Sequence, residues 1–359
     1  MKTLSLCMIV KNEEKTLARV LENAHVYADE IIVVDTGSTD STKVIAQQFT
    51  PKVYDYKWKD DFADARNFSF NKAQSDYLMW LDGDDFLPDS IAQKIRDWKF
   101  ERGEEDVLMC TYATAYDEFL RPTYQFLRER IVKNLPFLRW HDRVHEVIIP
   151  YGKVVNRPDI VVYHGKQKPH TNRNLKIYQA MIKEGAEFSP RALFYYACEL
   201  YYNGHFKKAI KTLNDFLKTK GAFIENQIEA CLILCFCHEN LNNSGKALDS
   251  LFESFKLSSP RGEVLYNIGR IFMKEKKFKQ ASYWFERAIE NGNNLESGAF
   301  VDKLKTTLYP ALDLVVCYYN LGDLSRARHF HEISKGFNAN DESVLHNEKF
   351  FASLQKNQD

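Results

Sequence analysis

An α/β domain with a mostly parallel sheet, followed by an all-α domain of helical repeats, is the architecture this sequence predicts. Three observations predict it. In the first half, short β-branched apolar runs alternate with stretches at helical spacing, the pattern of a parallel sheet whose crossovers are helices. Past about Gly165 the strand signals stop and helical periodicity continues to the end. Within that second half, the same residue types recur around a set of alanines. The expected division is an α/β domain at 1–168, a connecting segment at 169–188 whose helix reads Asn172–Glu187, and a repeat domain at 189–359.

The elements follow in order. Thr3–Val10 is an apolar strand, and KNEEKTLARVLENA continues at helical spacing. Glu30–Asp35 (EIIVVD) is a second strand, followed by a cap-rich turn and helix in TGSTDSTKVIAQQF. Lys52–Tyr56 is a third strand, Asp64–Gln74 a helix and Asp76–Asp82 a fourth strand. In such sheets functional groups gather at the carboxyl ends of the strands. Here those ends read Lys11-Asn12-Glu13, Asp35 and Asp82-Gly83-Asp84-Asp85. In the second half the repeats align on Ala209, Ala247, Ala281 and Ala327. Mostly small residues precede them (Ala197, Cys235, Gly269, Val315), and Leu213, Leu251, Phe285 and His331 follow. Small residues are needed where two helices of a repeat cross closely; larger ones fill the space between repeats.

Composition limits the function. The 359 residues suffice for two domains, and 49 basic residues balance 49 acidic ones. That balance gives no support to nucleic-acid binding, which usually needs a basic domain. The seven cysteines form no C-x-x-C pair and read as buried thiols suited to a reducing cytoplasm. There is no secretory h-region and no apolar span of about 20 residues, so membrane contact is expected to be peripheral at most. Neither a P-loop nor a G-x-G-x-x-G fingerprint is present, and no H-E-x-x-H zinc helix.

The stretch YLMWLDGDDFL carries the chemistry. An apolar strand ending in Asp82, Asp84 and Asp85 is a natural site for a hard divalent cation, which takes oxygen ligands and bridges carboxylates to phosphates. The plainer alternative is a solvated acidic turn that caps the next helix. Asp35 has the same two readings, as a ligand contact or as the cap of the helix after it. A second cluster holds His141, Asp142, His145, Glu146 and His164.

Four segments in order, SLCMIVKNEE, EIIVVDTGSTDST, DFADARNFSFNKAQ and SDYLMWLDGDD, resemble family 2 glycosyltransferases of the GT-A, Rossmann-like fold. The second half, best seen in LYNIGRIFMKEKKFKQASYWFERA, resembles tetratricopeptide repeats. Arg130–Ile148 and Val161–Tyr178 carry a narrower likeness to a branch with a tetratricopeptide tail. That branch holds lipopolysaccharide-core glucosyltransferase-like proteins and the S-glycosyltransferases of bacteriocin cysteines. The resemblance implies a metal-dependent inverting glycosyltransferase. Its donor would be a nucleoside-diphosphate sugar, expected as a UDP-sugar, with Mn2+ or Mg2+. Its acceptor would be a saccharide, a lipid-linked saccharide or a peptide side chain such as a cysteine thiol. It further implies that Lys11, Asn12, Glu13, Asp35, Arg66 and Asp82 hold the nucleotide. Asp82, Asp84 and His164 would hold the metal. Glu146 would be the base, with Asp142 second and Asp85 third. The repeats would bind the acceptor or form a homodimer. Three departures stand out: Thr36 where a second Asp is common, Asp142 where Gly is common, and His164-Gly165-Lys166, where Lys166 is open to acceptor or phosphate contact. A tetratricopeptide scaffold with a degenerate sugar-nucleotide domain is the rival reading, and a nucleotidyltransferase the third.

Overall fold

The computed structural model describes residues 1–165, 171–292 and 298–356; Lys166 lies outside them. The chain divides into two compact units, Met1–Phe188 and Ser189–Asp359.

In the first unit β1 (Leu4–Val10) leads through α1 (Leu17–Glu22) and α2 (Ala24–Tyr27) to β2 (Glu30–Asp35). Next come α3 (Thr42–Phe49), β3 (Val53–Asp55), α4 (Phe62–Phe70), β4 (Tyr77–Asp82), β5 (Asp85–Phe86) and α5 (Asp89–Trp98). Three long strands follow, β6 (Val107–Tyr116), β7 (Pro122–Lys133) and β10 (Val154–His164). Between the last two sits a small ribbon of β8 (Trp140–His141) and β9 (Val147–Ile148), and α6 (Arg173–Lys183) closes the unit. The strands lie in the order β3-β2-β1-β4-β7-β6-β10-β5. β1 pairs in parallel with β2 and β4, with Val10 opposite Asp35 and Ile9 opposite Asp82, whereas β7 runs antiparallel to β4 and β6. Because β1 lies between β2 and β4, the chain moves out to one side and then the other. The crevice above that switch point is where open α/β sheets hold ligands.

Alternation along the strands sends side chains to two cores. Leu4, Leu6 and Met8 meet Leu17, Leu21, Ile95 and Trp98 on one face. Cys7, Ile32, Val34, Leu78 and Trp80 meet Ala63, Ala65 and Phe70 on the other. The expected helix over Lys11–Ala24 begins only at Leu17. Asn12 takes a left-handed φ of 55°, which turns the chain across the sheet end before helix can form. Strands β6, β7 and β10 were absent from the sequence-based order of elements.

The second unit is helical apart from the two-residue strand Val301–Asp302. Four antiparallel pairs follow one another: α7 (Pro190–Tyr202) with α8 (Phe206–Leu217), α9 (Ile224–Asn240) with α10 (Ser244–Glu253), α11 (Gly262–Lys274) with α12 (Phe278–Asn291), and α13 (Leu308–Asn320) with α14 (Leu324–Phe337). Helix α15 (Glu342–Lys356) comes last. The four alanines that define the repeat are fully buried, as are Leu213, Leu251 and Phe285. Gly269 shows why a small residue is needed at the crossing: a Cβ there would lie 2.6 Å from the Phe285 ring. At Gly245 a Cβ would meet only the Asn243 side-chain oxygen, at an ordinary contact distance of 3.9 Å. We therefore expect opposite signs from one substitution. Gly245→Ala should stabilise the repeats by about 0.5–1 kcal/mol through backbone entropy. Gly269→Ala should destabilise them by about 1–2 kcal/mol, because overpacking outweighs helix propensity. Urea unfolding followed by helical ellipticity reads both.

Candidate active site

Three loops meet at the carboxyl ends of β1, β2 and β4. The Lys11–Glu13 turn is held by hydroxyls of the loop before α3. The Asn12 amide donates to Ser38 Oγ (3.0 Å), the Glu13 amide donates to Thr42 Oγ1 (2.7 Å), and Asn12 Oδ1 accepts from the Thr39 amide (2.8 Å). Asp35 Oδ1 accepts from the amides of Gly37 (2.9 Å) and Ser38 (2.8 Å), while its buried Oδ2 has no hydrogen-bond partner. One oxygen thus shapes the turn. Gly83 lies against the Glu13 side chain; a Cβ there would be 2.5 Å from Glu13 Cγ.

The three aspartates of Asp82-Gly83-Asp84-Asp85 have three different roles. Asp85 is fully buried. Its Oδ2 accepts from Arg130 Nη1 (3.0 Å) and the Asp82 amide (3.0 Å), and its Oδ1 accepts from Tyr112 OH (2.9 Å) and faces His164 Nδ1 at 3.2 Å. Those contacts fill its lone pairs, so Asp85 is an anchor, and its rank as third candidate base falls. Asp84 is half-buried. Burial raises its carboxyl to about 6, with Asp82, Asp85 and Glu13 adding to the rise and His164 opposing it. For Asp82 burial again works upward, but Arg66 and Arg130 outweigh it and hold the carboxyl at about 2. Burial works against the charged form of His164, yet Asp85, Asp84 and Asp82 together raise its pKa.

Arg66, on α4, is 6% exposed and forks between two carboxylates: Nη2 donates to Asp82 Oδ1 (2.6 Å) and Nε to Glu146 Oε1 (2.7 Å). Its guanidinium lies 4.8 Å from the Trp80 ring centroid and 4.9 Å from that of Trp140. Trp80 also carries Arg130 at 3.7 Å and Arg128 at 5.1 Å. Arginine planes stacked on indoles retain their charge while losing water. The sequence reading missed Arg128, Arg130 and Tyr112. The signal available for them was R-E-R on an otherwise buried strand, since a fully buried Arg must have an acid beside it.

A cleft of about 600 Å³ opens over these groups. Of the residues expected at the site, Lys11, Asn12, Glu13, Arg66, Asp82, Asp84, Glu146 and His164 line it; Asp35 and Asp142 do not, although Thr36 does. Trp58, Phe62, Tyr112, Arg128 and His145 line it as well.

Among the described residues, ligand atoms of Asp84, Asp85 and His164 come within 4.8 Å of one another, whereas Asp82 is turned to Arg66. Asp84 and His164 would suit a hard cation, since burial and then the neighbouring carboxylates hold Asp84 at high proton affinity and a cation would offset that charge. His164 Nδ1 lies 3.2 Å from Asp85 Oδ1 and 3.6 Å from Asp84 Oδ1. Because the Asp84 carboxyl titrates near 6, protons compete with the cation below that pH. Mn2+ affinity should fall with acid, first as His164 takes a proton at a pH above the ordinary histidine value and then more steeply below pH 6 as Asp84 is protonated too, which titration calorimetry across pH 5–8 would read.

Fold and site define a class: an α/β crevice domain with an acidic strand end, joined to helical repeats. Residues 5–162 match the family model Glycosyl transferase family 2, and this domain belongs to that family. A TPR repeat-containing protein of Synechococcus elongatus is 32% identical over 148 residues, 41% of this chain and 36% of that protein. The SPbeta prophage-derived glycosyltransferase SunS of Bacillus subtilis is 28% identical over 260 residues, 67% of this chain and 60% of SunS. This chain therefore spans between about a third and three-fifths of the length of these relatives. Among solved structures, S. aureus TarS is similar at a TM-score of 0.40 and 14% identity, over 69% of this chain and 55% of that one. The seven cysteines are buried free thiols. No helix among the described residues is long and apolar enough to cross a membrane.

Proposed function

We propose that this protein is a metal-assisted inverting glycosyltransferase that takes a sugar from a nucleoside diphosphate, in our reading UDP. The observation that carries it is the pairing of Asp84 with His164 at the switch point of a family 2 domain, beside an Arg66–Asp82 pair. Lys11, Asn12, Glu13 and Asp35 would hold the nucleoside, with Arg66 and Asp82 at its sugar and phosphates. Asp84 and His164 would hold Mn2+ or Mg2+, which when bound supplies positive charge to the diphosphate leaving group. Glu146, tied to Arg66, would form the wall between donor and acceptor.

The acceptor is a saccharide, a lipid-linked saccharide or a peptide side chain, a cysteine thiol included. The repeats would offer it a surface, since stacked helix pairs build extended binding faces; the same face could join two copies. The test is product analysis. Incubation with UDP-glucose or UDP-N-acetylglucosamine, Mn2+ and a methyl hexoside or cysteine peptide should release UDP with the sugar joined to one of these acceptors. Release of pyrophosphate from a nucleotide and a sugar phosphate would show nucleotidyl transfer instead.

A further inference from the structure

Resting on the metal-assisted reading, we propose that Gly165 is a positioning residue for the metal pair: its bare backbone packs against Asp84 and sets the distance at which Asp84 and His164 face a cation. The two residues come from separate elements. Asp84 lies in the turn between β4 and β5, and His164 ends β10. Strand β5 is two residues long and pairs antiparallel with the end of β10, Phe86 opposite Tyr163 and Asp85 opposite His164. One further bond carries the pairing past the strand: the Gly165 amide donates to the Asp84 carbonyl at 2.8 Å. The carbonyl and the carboxylate of Asp84 share one Cα, so this bond ties the carboxylate to the residue beside His164. His164 Nδ1 stands 3.6 Å from Asp84 Oδ1.

The contact needs glycine for space. The φ of Gly165 lies outside the left-handed region, so its backbone makes no demand for glycine. A Cβ there would lie 2.7 Å from the Asp84 carbonyl oxygen and 2.6 Å from Arg19 Nη2. The two clashes differ in cost. Arg19 is exposed and can swing its guanidinium away, giving up its place 4.3 Å from the Phe86 ring centroid. The carbonyl is backbone and moves only with its strand. Carbon and carbonyl oxygen ordinarily approach to about 3.3–3.6 Å, so Asp84 has to retreat by roughly 0.6 Å or more. A binding site keeps its geometry to about 0.5 Å, so the retreat exceeds what the pair tolerates. Asp85 does not follow, because Arg130 and Tyr112 hold it, and the distortion falls on Asp84. Phe86, stacked on Tyr163 at 5.3 Å and 24°, fixes the far end of β5.

The experiment titrates Mn2+ at neutral pH into wild type, Gly165→Ala and the double variant Arg19→Ala/Gly165→Ala. Calorimetry and loss of the free-ion electron paramagnetic resonance signal read the affinity, and urea unfolding shows that each chain is folded. Gly165→Ala should bind Mn2+ at least about tenfold more weakly than wild type, the size of effect that partners behind metal ligands have. The double variant removes the Arg19 clash and keeps the carbonyl clash, so it should bind Mn2+ as weakly as Gly165→Ala. Three results overturn the assignment while the metal reading stands: a Gly165→Ala affinity within about threefold of wild type, wild-type affinity regained by the double variant, or a Gly165→Ala chain that does not fold. A wild type that binds no Mn2+ overturns both.

Discussion

Replacing Arg130 with methionine should destabilise the α/β domain by about 3–5 kcal/mol. The Arg130–Asp85 pair is fully buried on both sides. Removing one member of such a pair leaves an uncompensated charge, and that, rather than the lost attraction, sets the size of the effect. Asp85 would then retain only Tyr112, the Asp82 amide and His164 as neighbours. It would either draw in water or take up a proton. The doubly substituted Arg130→Met/Asp85→Asn chain should regain part of the loss, because neither charge remains. Urea unfolding of the three variants measures this; a single-variant effect under about 1 kcal/mol would show that water already reaches the pair.

Replacing Arg66 should affect binding more than folding. Arg66 pairs with both Asp82 and Glu146 and lies against the rings of Trp80 and Trp140. Lysine keeps the charge but cannot fork or stack as a plane. Arg66→Lys should therefore cost about 1–3 kcal/mol of stability, in line with losing one charged hydrogen bond. UDP affinity should fall by at least about 100-fold, since a bidentate charge-assisted contact and its neighbour Asp82 are both disturbed. Arg66→Ala should be worse on both counts, leaving two acids facing each other. Denaturation curves and UDP titrations on the same preparations separate the two effects. Unchanged UDP affinity in Arg66→Lys would assign Arg66 to the scaffold alone.

Much of the site could be read from the sequence, because it lies at the ends of strands with continuous apolar signals. EIIVVD and YLMWLD carry apolar runs that are mostly buried, so the aspartates that close them mark the crevice. The long strands β6, β7 and β10 were harder to read. Their exposure alternates irregularly and their register is broken by bulges. Arg128 and Arg130, two residues apart on β7, look like surface charges until Trp80 is known to lie against both. The split between Asp84 and Asp85 could not be foreseen either. Both neighbouring acids approach His164, and only the packing of Arg130 and Tyr112 against Asp85 shows which one is anchored. The repeats were readable at their crossings because a fully buried alanine tolerates nothing larger.

The central claim is a metal-dependent nucleotide site built on Asp84. Calorimetric titration of UDP into the protein, with Mn2+ and then with chelator, on wild type and Asp84→Ala, tests it most directly. The account predicts UDP binding to wild type with Mn2+, weakened at least about tenfold by chelator and by Asp84→Ala. UDP binding that ignores both the metal and the substitution, or no UDP binding under either condition, would contradict it.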